Sequence, residues 1–217
     1  MNFHFNILLA ALSLSFFVSC SSTQSKSKNF LSDYSGFKQE SKLKNSSTYQ
    51  GELQKISQYD KIFLEEVKVI PPKDPSKYGI KDEEVARLQH SFRAALETQM
   101  KKTRFKLTQN PGQGTLSLRA AVTEFQPGNP ALFGASYAPY IGTAISASKV
   151  ATGGKGGAGS AVIEAEILDA TSRERFYAII DEQTGTIFNP TSGMSRWGHV
   201  ELAFRQWSAQ IKEAISR

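Results

Sequence analysis

The chain has very little cysteine and no long apolar run. These two shortages limit which disulfides and which membrane-spanning segments it could contain. Cys20 is the only cysteine among 217 residues, so there are no spare thiols to mispair in an oxidising compartment. The N-terminal run of apolar and small residues from Ile7 to Val18 is twelve residues long. Because a membrane-spanning helix needs roughly 20 such residues, this run predicts a secretory signal rather than a transmembrane anchor.

The run ends in Phe17-Val18-Ser19-Cys20, which resembles the bacterial lipobox. Two features depart from the usual pattern: Phe17 stands where leucine is preferred, and residues 1–6 contain no lysine or arginine. We interpret residues 1–19 as a signal peptide and Cys20 as the site of lipid attachment. The alternative is an apolar N-terminal element of a cytosolic protein that happens to reach a cysteine.

A lipid on Cys20 predicts a protein held firmly at a membrane, since several acyl chains bind far more strongly than one. Ser21 and Ser22 follow the cysteine, and neither is the aspartate that commonly retains lipoproteins in the inner membrane. We therefore expect an outer-membrane lipoprotein facing the periplasm. The Ser- and Lys-rich composition after Cys20 predicts a flexible tether over residues 20–55, with a reach of roughly 30 Å.

Basic residues exceed acidic ones, with 26 Lys and Arg against 20 Asp and Glu. The densest cluster closes a predicted helix, where cations complement the helix dipole and remain solvated. It consists of Lys101, Lys102, Arg104 and Lys106. We expect no nucleic-acid partner, because an exported chain would not meet one.

Residues 56–217 have the apolar patterns of one periplasmic α+β domain. Helical spacing predicts one helix from Asp82, as its N-cap, to about Lys102 and another from Trp197 onward. Alternation predicts strands at 61–70 with a bulge near Glu65 and Glu66, at 105–107, at 115–125, and at 161–168 and 175–180 as a hairpin. The expected fold is a mostly antiparallel sheet with the two amphipathic helices packed on one face.

Four segments resemble a known family in the order in which that family has them. They are Phe30-Leu31-Ser32-Asp33-Tyr34-Ser35, residues 114–123, residues 161–170 and the helix around Ala203-Phe204-Arg205-Gln206-Trp207. Together they resemble the proteobacterial lipoproteins of domain of unknown function 3313, over most of the mature chain. No catalytic residues are established for that family, so the resemblance implies none here.

The titratable residues offer few candidates for chemistry. His90 and His199 have no triad partner nearby in sequence, and we expect each to be solvated or to cap a helix. Glu164 and Glu166 share one face of a strand, where they could serve acid and base chemistry or bind a hard cation. A solvated sheet face gives the same pattern and is favoured. Asp181 and Glu182 lie across the hairpin in an unfixed register. No cysteine or histidine spacing predicts a metal site, and we expect no cofactor.

The connection from 126 to 160 is unusually long and apolar for a link within one domain. Its glycine run, 153–159, lacks the Lys-Ser or Lys-Thr order of a phosphate-binding loop and predicts a flexible connection. An exposed apolar patch here would mark a contact with a partner or a membrane, whereas a lid over the sheet is an equal alternative. The candidate contact residues are Leu132, Phe133, Tyr137, Tyr140 and Ile141.

Three functional hypotheses follow from these observations. The leading one is a non-enzymatic envelope lipoprotein that binds a protein partner or takes part in assembly through the 126–160 connection. The second is a carrier of a small apolar or lipid ligand held beneath that connection. The third, a hydrolase built on Glu164 and Glu166, has the least support. Neither the partner nor the oligomeric state can be read from the sequence.

Overall fold

The computed structural model describes residues 30–40, 45–135, 157–185 and 190–216. The strands are β1 (Lys38–Gln39), β2 (Ser46–Gln50), β3 (Lys61–Leu64), β4 (Lys68–Val69), β5 (Lys106–Thr108), β6 (Thr115–Gln126), β7 (Ser160–Asp169) and β8 (Arg175–Thr184). The helices are α1 (Asp82–Met100), α2 (Pro130–Ala135), α3 (Pro190–Gly193) and α4 (Gly198–Ile215), with 3-10 turns at Leu53–Gln58 and Ser76–Tyr78.

The eight strands form one sheet in the order β1-β2-β8-β7-β6-β3-β5, with β4 also beside β6. The pairs from β1 to β6 in that order are antiparallel, whereas β3, β4 and β5 run parallel to their neighbours. The α+β class is therefore confirmed, and the prediction of a mostly antiparallel sheet is corrected to a mixed one. The reason is that α1 carries the chain back between β4 and β5, and such a helical crossover returns the next strand in the same direction.

The centre of the sheet is made of its three longest strands, β6, β7 and β8. Their alternation sets the register: Leu118 pairs with Ile167, and Val122 pairs with Ile163. The predicted hairpin of β7 and β8 is confirmed by its antiparallel pairing. The irregularity predicted near Glu65 is present as a break between β3 and β4 rather than as a bulge inside one strand.

Helices α1 and α4 lie side by side on one face of the sheet and cover the larger core. Phe92 of α1 stacks on Phe204 of α4 with ring centroids 4.7 Å apart, and it meets the ring of Trp207 edge-on at 6.3 Å. All three side chains are at most 1% exposed. Burying a large side chain stabilises the fold by about 1.5–3 kcal/mol, so this cluster is a major source of stability. No helix in the described part of the chain is both long and apolar enough to cross a membrane.

The start of α1 differs by one residue from the sequence prediction. Lys81, not Asp82, is the N-cap, and the Glu84 carboxylate accepts a hydrogen bond from the Lys81 backbone N–H at 3.1 Å. Asp82 becomes the first helical residue, where its charge still favours the positive end of the helix. Glu84, the third residue of the helix, makes the capping bond, and Asp82, the first residue, does not.

The other face of the sheet is partly covered by residues 30–37, which we call the strap. Leu31 is 7% exposed and packs against Val162, Ala178 and Ile180, which form a second apolar cluster. The strap leads into β1, and β2 pairs with β8. The prediction of a flexible tether over residues 20–55 is therefore wrong for residues 30–40 and 45–55, because they belong to the folded domain. Residues 20–29, including Cys20, lie outside the described residues.

Candidate functional site

Glu164 and Glu166 lie on the strap side of β7, and both are 0% exposed. They share one face, as the sequence predicted, but the prediction that this face is solvated is wrong. The strap crosses the face directly above them and supplies hydrogen-bond donors to both carboxylates. Glu164 and Glu166 are buried because the strap covers them. In the sequence, polar residues flank the strap on both sides and hide its apolar pattern.

Glu164 binds the beginning of the strap. Its Oε2 accepts hydrogen bonds from the backbone N–H groups of Phe30 and Leu31, at 3.3 and 3.4 Å, and from the hydroxyl of Tyr34. Burial, together with the bond to Glu164, raises the pKa of Tyr34 to about 12. Tyr34 therefore stays a neutral donor near neutral pH. The carboxylate fixes the first residues of the strap to β7.

Glu166 joins a network of charges that crosses three strands. Its Oε1 pairs with the guanidinium of Arg119 on β6, and its Oε2 accepts from the Ser32 hydroxyl at 3.1 Å. The Arg119 guanidinium also lies 3.3 Å from a carboxylate oxygen of Glu65 and 4.9 Å from the centre of the Phe30 ring. A buried carboxylate with a charged partner and an additional hydrogen bond is the arrangement that makes burial of a charge tolerable.

The register of β7 and β8 separates the remaining carboxylates from this pair. Asp181 pairs with Ile163 and so points to the helix side. There its Oδ2 accepts from the indole N–H of Trp207 at 2.5 Å and from the Gln183 amide at 2.7 Å. Glu182 pairs with Val162 and lies on the strap side. Asp181 is therefore not part of the Glu164 and Glu166 group.

These carboxylates are held by protein groups rather than presented to a substrate. Acid or base chemistry at Glu164 or Glu166 would require the strap to leave first. In the described residues there is no group of three or more His, Cys, Asp or Glu side chains placed to hold a metal ion. The hydrolase and cation-binding hypotheses gain no support from this geometry.

The two histidines have different environments. His90 is exposed on α1, as predicted. His199 is only 6% exposed, and burial lowers its pKa. Its ring lies so close to Gly185 that a Cβ at that glycine would stand 2.3 Å from the ring Cγ. The predicted solvated or capping role is therefore wrong for His199, since the N-cap of α4 is Trp197.

The long connection leaves and re-enters the domain through a narrow neck. The backbone N–H of Asn129 donates to the carbonyl of Gly157 at 2.7 Å, and that of Gly128 donates to the carbonyl of Arg196 at 2.7 Å. A Cβ at Gly159 would lie 2.9 Å from the carbonyl oxygen of Gln126, so this position requires glycine. The last glycines of the predicted flexible run thus serve a close backbone approach.

The predicted contact residues of the connection are only partly within the described chain. Leu132 on α2 is 48% exposed. Phe133 lies on the same helix, but its side chain is outside the described residues, as are Tyr137, Tyr140 and Ile141. The carrier hypothesis stays a prediction, because most of the connection that would cover its ligand falls outside the described part.

Large apolar side chains are exposed at the end of the sheet where the neck lies. Ile70, Leu132 and Met194 are 38%, 48% and 79% exposed. Ile70 follows β4 and donates its backbone N–H to Val122 in the second half of β6. Leu132 lies on α2, six residues after the end of β6, and Met194 stands two residues before Arg196, whose carbonyl holds the neck. We call these three residues the apolar end.

Sequence reasoning missed the strap, Arg119 and Glu65 as parts of one arrangement. A signal was available in Phe30, Leu31, Tyr34 and Phe37, whose apolar side chains interrupt a polar stretch. The sequence did not show which side chains the strap covers, because the pairing of Arg119 with Glu166 depends on the register of β6 and β7.

A family model described as "Protein of unknown function (DUF3313)" matches residues 26–211. The chain belongs to the DUF3313 family. This confirms the family resemblance of the four segments, while the lipoprotein character expected from it stays a prediction. The matched region of this DUF3313 chain begins before the strap and includes it. No curated protein matches the chain.

Among solved structures, this DUF3313 chain is similar to two structures of the PelC dodecamer from Paraburkholderia phytofirmans. Each has 11% sequence identity and a TM-score of 0.43, covering 79% of this chain and 95% or 96% of the other. A DUF4136 family protein from Bacteroides thetaiotaomicron has 8% identity and a TM-score of 0.37, covering 83% of this chain and 98% of the other.

Proposed function

We propose that this protein is a non-enzymatic lipoprotein of the bacterial envelope, anchored in the outer membrane by lipid on Cys20, whose periplasmic domain binds a protein partner. The observation that carries the proposal is the apolar end, where three large side chains are exposed beside β6 or on segments that lead to the neck. Exposed apolar groups that cluster, rather than scatter singly, mark contact surfaces. The partner is a protein with a complementary apolar surface.

The strap supports a short tether between the lipid and the domain. Nine residues, 21–29, lie between Cys20 and Phe30, the first residue of the strap. At a maximum of about 3.5 Å per residue, the strap begins within roughly 35 Å of the lipidated cysteine. A fully extended tether from Cys20 to residue 55 would allow about 120 Å.

The apolar end lies apart from the beginning of the strap. The backbone of Phe30 binds Glu164, which pairs with Ala121 of β6, and Gln126 is five residues further along that strand. At about 3.3 Å per residue, the neck is roughly 17 Å from the beginning of the strap along the strand. This separation leaves the apolar end free to meet a periplasmic partner.

Site-specific crosslinking in intact cells tests the binding surface. A photoreactive amino acid at Leu132 or Met194 should give specific protein adducts, identified by mass spectrometry. The matched control places the same probe at Gln206, which is exposed on α4; a probe at Ser57, which lines the larger groove at the other end of the domain, serves as a second comparison. Equal adducts from Gln206, or adducts that survive removal of residues 132–145, would count against binding at the apolar end.

The anchor has a separate test. Mass spectrometry of the N-terminal peptide should find Cys20 as the first residue, carrying a thioether-linked lipid. Cys20→Ser should move the protein from the membrane to the soluble fraction without changing its circular dichroism. An unmodified Cys20 in protein purified from membranes would contradict the proposed lipoprotein.

A further inference from the structure

The end of the domain opposite the neck collects positive charge. Here α1 and α4 end and β3, β5 and β6 begin. The lysines that lie here are in none of the ion pairs found among the described residues. They are Lys101, Lys102, Lys106 and Lys212, and with Arg104 we call them the basic end.

Arg104 adds a fifth charge that no carboxylate neutralises. Its guanidinium donates to the backbone carbonyls of Tyr59 and Ile56, at 2.5 and 2.6 Å, and lies 4.3 Å from the centre of the Phe105 ring. Carbonyl acceptors carry no net charge, so the cation remains. Asp60 and Glu213 lie beside the five cations. Glu52, Asp169 and Glu174 lie at the same end but are bound by Lys55 and Tyr59, so a positive balance remains.

The negative ends of the two helices are already satisfied. The carbonyl of Met100 accepts from both the N–H and the hydroxyl of Thr103, at 3.0 and 2.6 Å. The Ser216 hydroxyl donates to the Lys212 carbonyl at 2.8 Å. The helix dipoles oppose an anion mainly through carbonyls left open in the last turn, so these bonds reduce that opposition.

Two adjoining grooves lie at the basic end, and the larger has an apolar floor. The larger, with a volume of about 570 Å³, is lined in part by Leu53, Ile56 and Ile215, with Lys102 and Arg104 at its side. The smaller, of about 430 Å³, shares Lys102 and Ser216 with it and adds Lys212 and Glu213. Cations beside an apolar floor match a ligand that is anionic and amphiphilic.

The basic end is also within reach of the beginning of the strap. Lys106 pairs with Lys61, which pairs with Thr115, six residues before Ala121, the β6 partner of Glu164. This separation is about 20 Å along the strands and about 10 Å across two of them. The tether of residues 21–29 can extend to roughly 35 Å. The membrane that would carry the anchor is therefore within reach of the basic end.

We propose that the basic end binds the anionic phospholipid headgroups of the membrane in which the protein is anchored. The argument that the membrane is within reach rests on the proposed lipidation of Cys20, whereas the charge and the grooves of the basic end do not depend on it. Each lysine near an anionic bilayer raises the association constant about fivefold. Anchoring keeps the bilayer at high effective concentration, so modest attraction suffices to orient the domain.

The test uses the mature chain with Cys20→Ser, so that binding does not depend on the lipid. Its binding to vesicles of phosphatidylglycerol and phosphatidylcholine in equal parts is measured by co-sedimentation, against vesicles of phosphatidylcholine alone. Binding should be confined to the anionic vesicles and weaken as salt is raised. The variant replaces four lysines of the basic end, K101Q, K102Q, K106Q and K212Q, and should bind about 600-fold more weakly.

A matched variant removes the same charge elsewhere. It carries K68Q, K73Q, K77Q and K81Q, which lie on β4 and before α1, and should stay within about threefold of the parent. Equal loss in both variants, no binding to anionic vesicles, or tighter binding to soluble polyglutamate would overturn the proposal, the last in favour of an acidic protein. Circular dichroism verifies that both variants fold. An unlipidated Cys20 would refute the anchor and leave the vesicle result unchanged.

Discussion

The two faces of the sheet are buried by different chemistry. The helix side is packed with large rings, among them Phe92, Phe204 and Trp207. The strap side holds a smaller apolar cluster around two buried carboxylates and Arg119. Apolar packing stabilises without directional demands, whereas buried charges stabilise only while every partner is in place. We infer that the helix side supplies global stability and that the strap side opens first in local unfolding.

Removing the largest ring on the helix side should have the greatest effect. Trp207→Ala leaves a cavity and deprives Asp181 of its indole donor. We expect the free energy of unfolding to fall by about 4 kcal/mol in urea titration. Trp207→Phe keeps most of the volume and should cost clearly less. A loss below about 1 kcal/mol for the alanine variant would show that the helix side is not the main support.

Breaking the charge pair on the strap side should come next. Arg119→Ala leaves Glu166 buried without its cation, and we expect a loss of about 3 kcal/mol. The control is Arg87→Ala, because the Arg87–Glu201 pair is 2.8 Å long with side chains 55% and 29% exposed. An exposed pair of this kind contributes under about 1 kcal/mol. Equal losses in the two variants would refute the distinction between a buried and a surface pair.

The double variant Arg119→Met/Glu166→Leu sharpens this result. Replacing both charges with apolar groups leaves no buried charge unpaired, so it should lose less stability than Arg119→Ala alone. Hydrogen exchange of the strap amides reports whether the strap stays docked. If the double variant were the less stable one, the network would contribute more than the cost of burying its charges.

Tyr34→Phe removes the donor to Glu164 and should lower the free energy of unfolding by about 1.5 kcal/mol at neutral pH. The pKa of Tyr34 is about 12 in the folded protein, above the usual 10.0. Its contribution is thus complete below pH 10 and is lost as the pH rises through 12. Parent and variant should therefore converge in stability above pH 10.

Tyr59→Phe is the matched control for the alkaline titration. The pKa of Tyr59 is also raised to about 12, by burial and by its 2.6 Å bond to Asp169. Each phenylalanine variant should lose one late-titrating tyrosine in ultraviolet absorbance. Only Tyr34→Phe should speed hydrogen exchange in the strap. The same effect from Tyr59→Phe would mean that strap docking does not depend on Tyr34.

Ser32→Ala should produce the smallest change. It removes one neutral donor to Glu166, which keeps its pair with Arg119. We expect a loss of about 0.5–1 kcal/mol, with faster exchange of strap amides and little change elsewhere. Ser57→Ala, whose hydroxyl bonds only its own turn at Gln54, should leave strap exchange unaltered.

The packing of the helix side could be predicted because its buried residues recur with the periods of a helix and a strand. The stripe from Leu88 to Leu96 and the alternation of β6 and β7 each point to one buried face. The burial of the strap side could not be predicted, because charged side chains in a strand ordinarily indicate a face exposed to solvent. β2 was missed since its inward residues, Ser46 and Thr48, are small hydroxyl residues that look like a loop.

The parallel pairings were missed for a different reason. Strands β3, β4 and β5 are two to four residues long, and direction depends on the crossover through α1 rather than on any local pattern. The burial of Glu164 likewise depends on a segment 134 residues away. Such long-range contacts leave no periodic signal in the sequence.

The neck makes the long connection replaceable. Its two ends meet at the bond between Asn129 and Gly157, so the 27 residues from 130 to 156 could be exchanged for a turn of about four without moving β6 or β7. Shortening the loop in this way reduces its closure entropy by about 1.7 kcal/mol of free energy. The same junction could accept a foreign loop as a graft. The domain is therefore a scaffold on which this connection can diverge or be redesigned independently of the sheet.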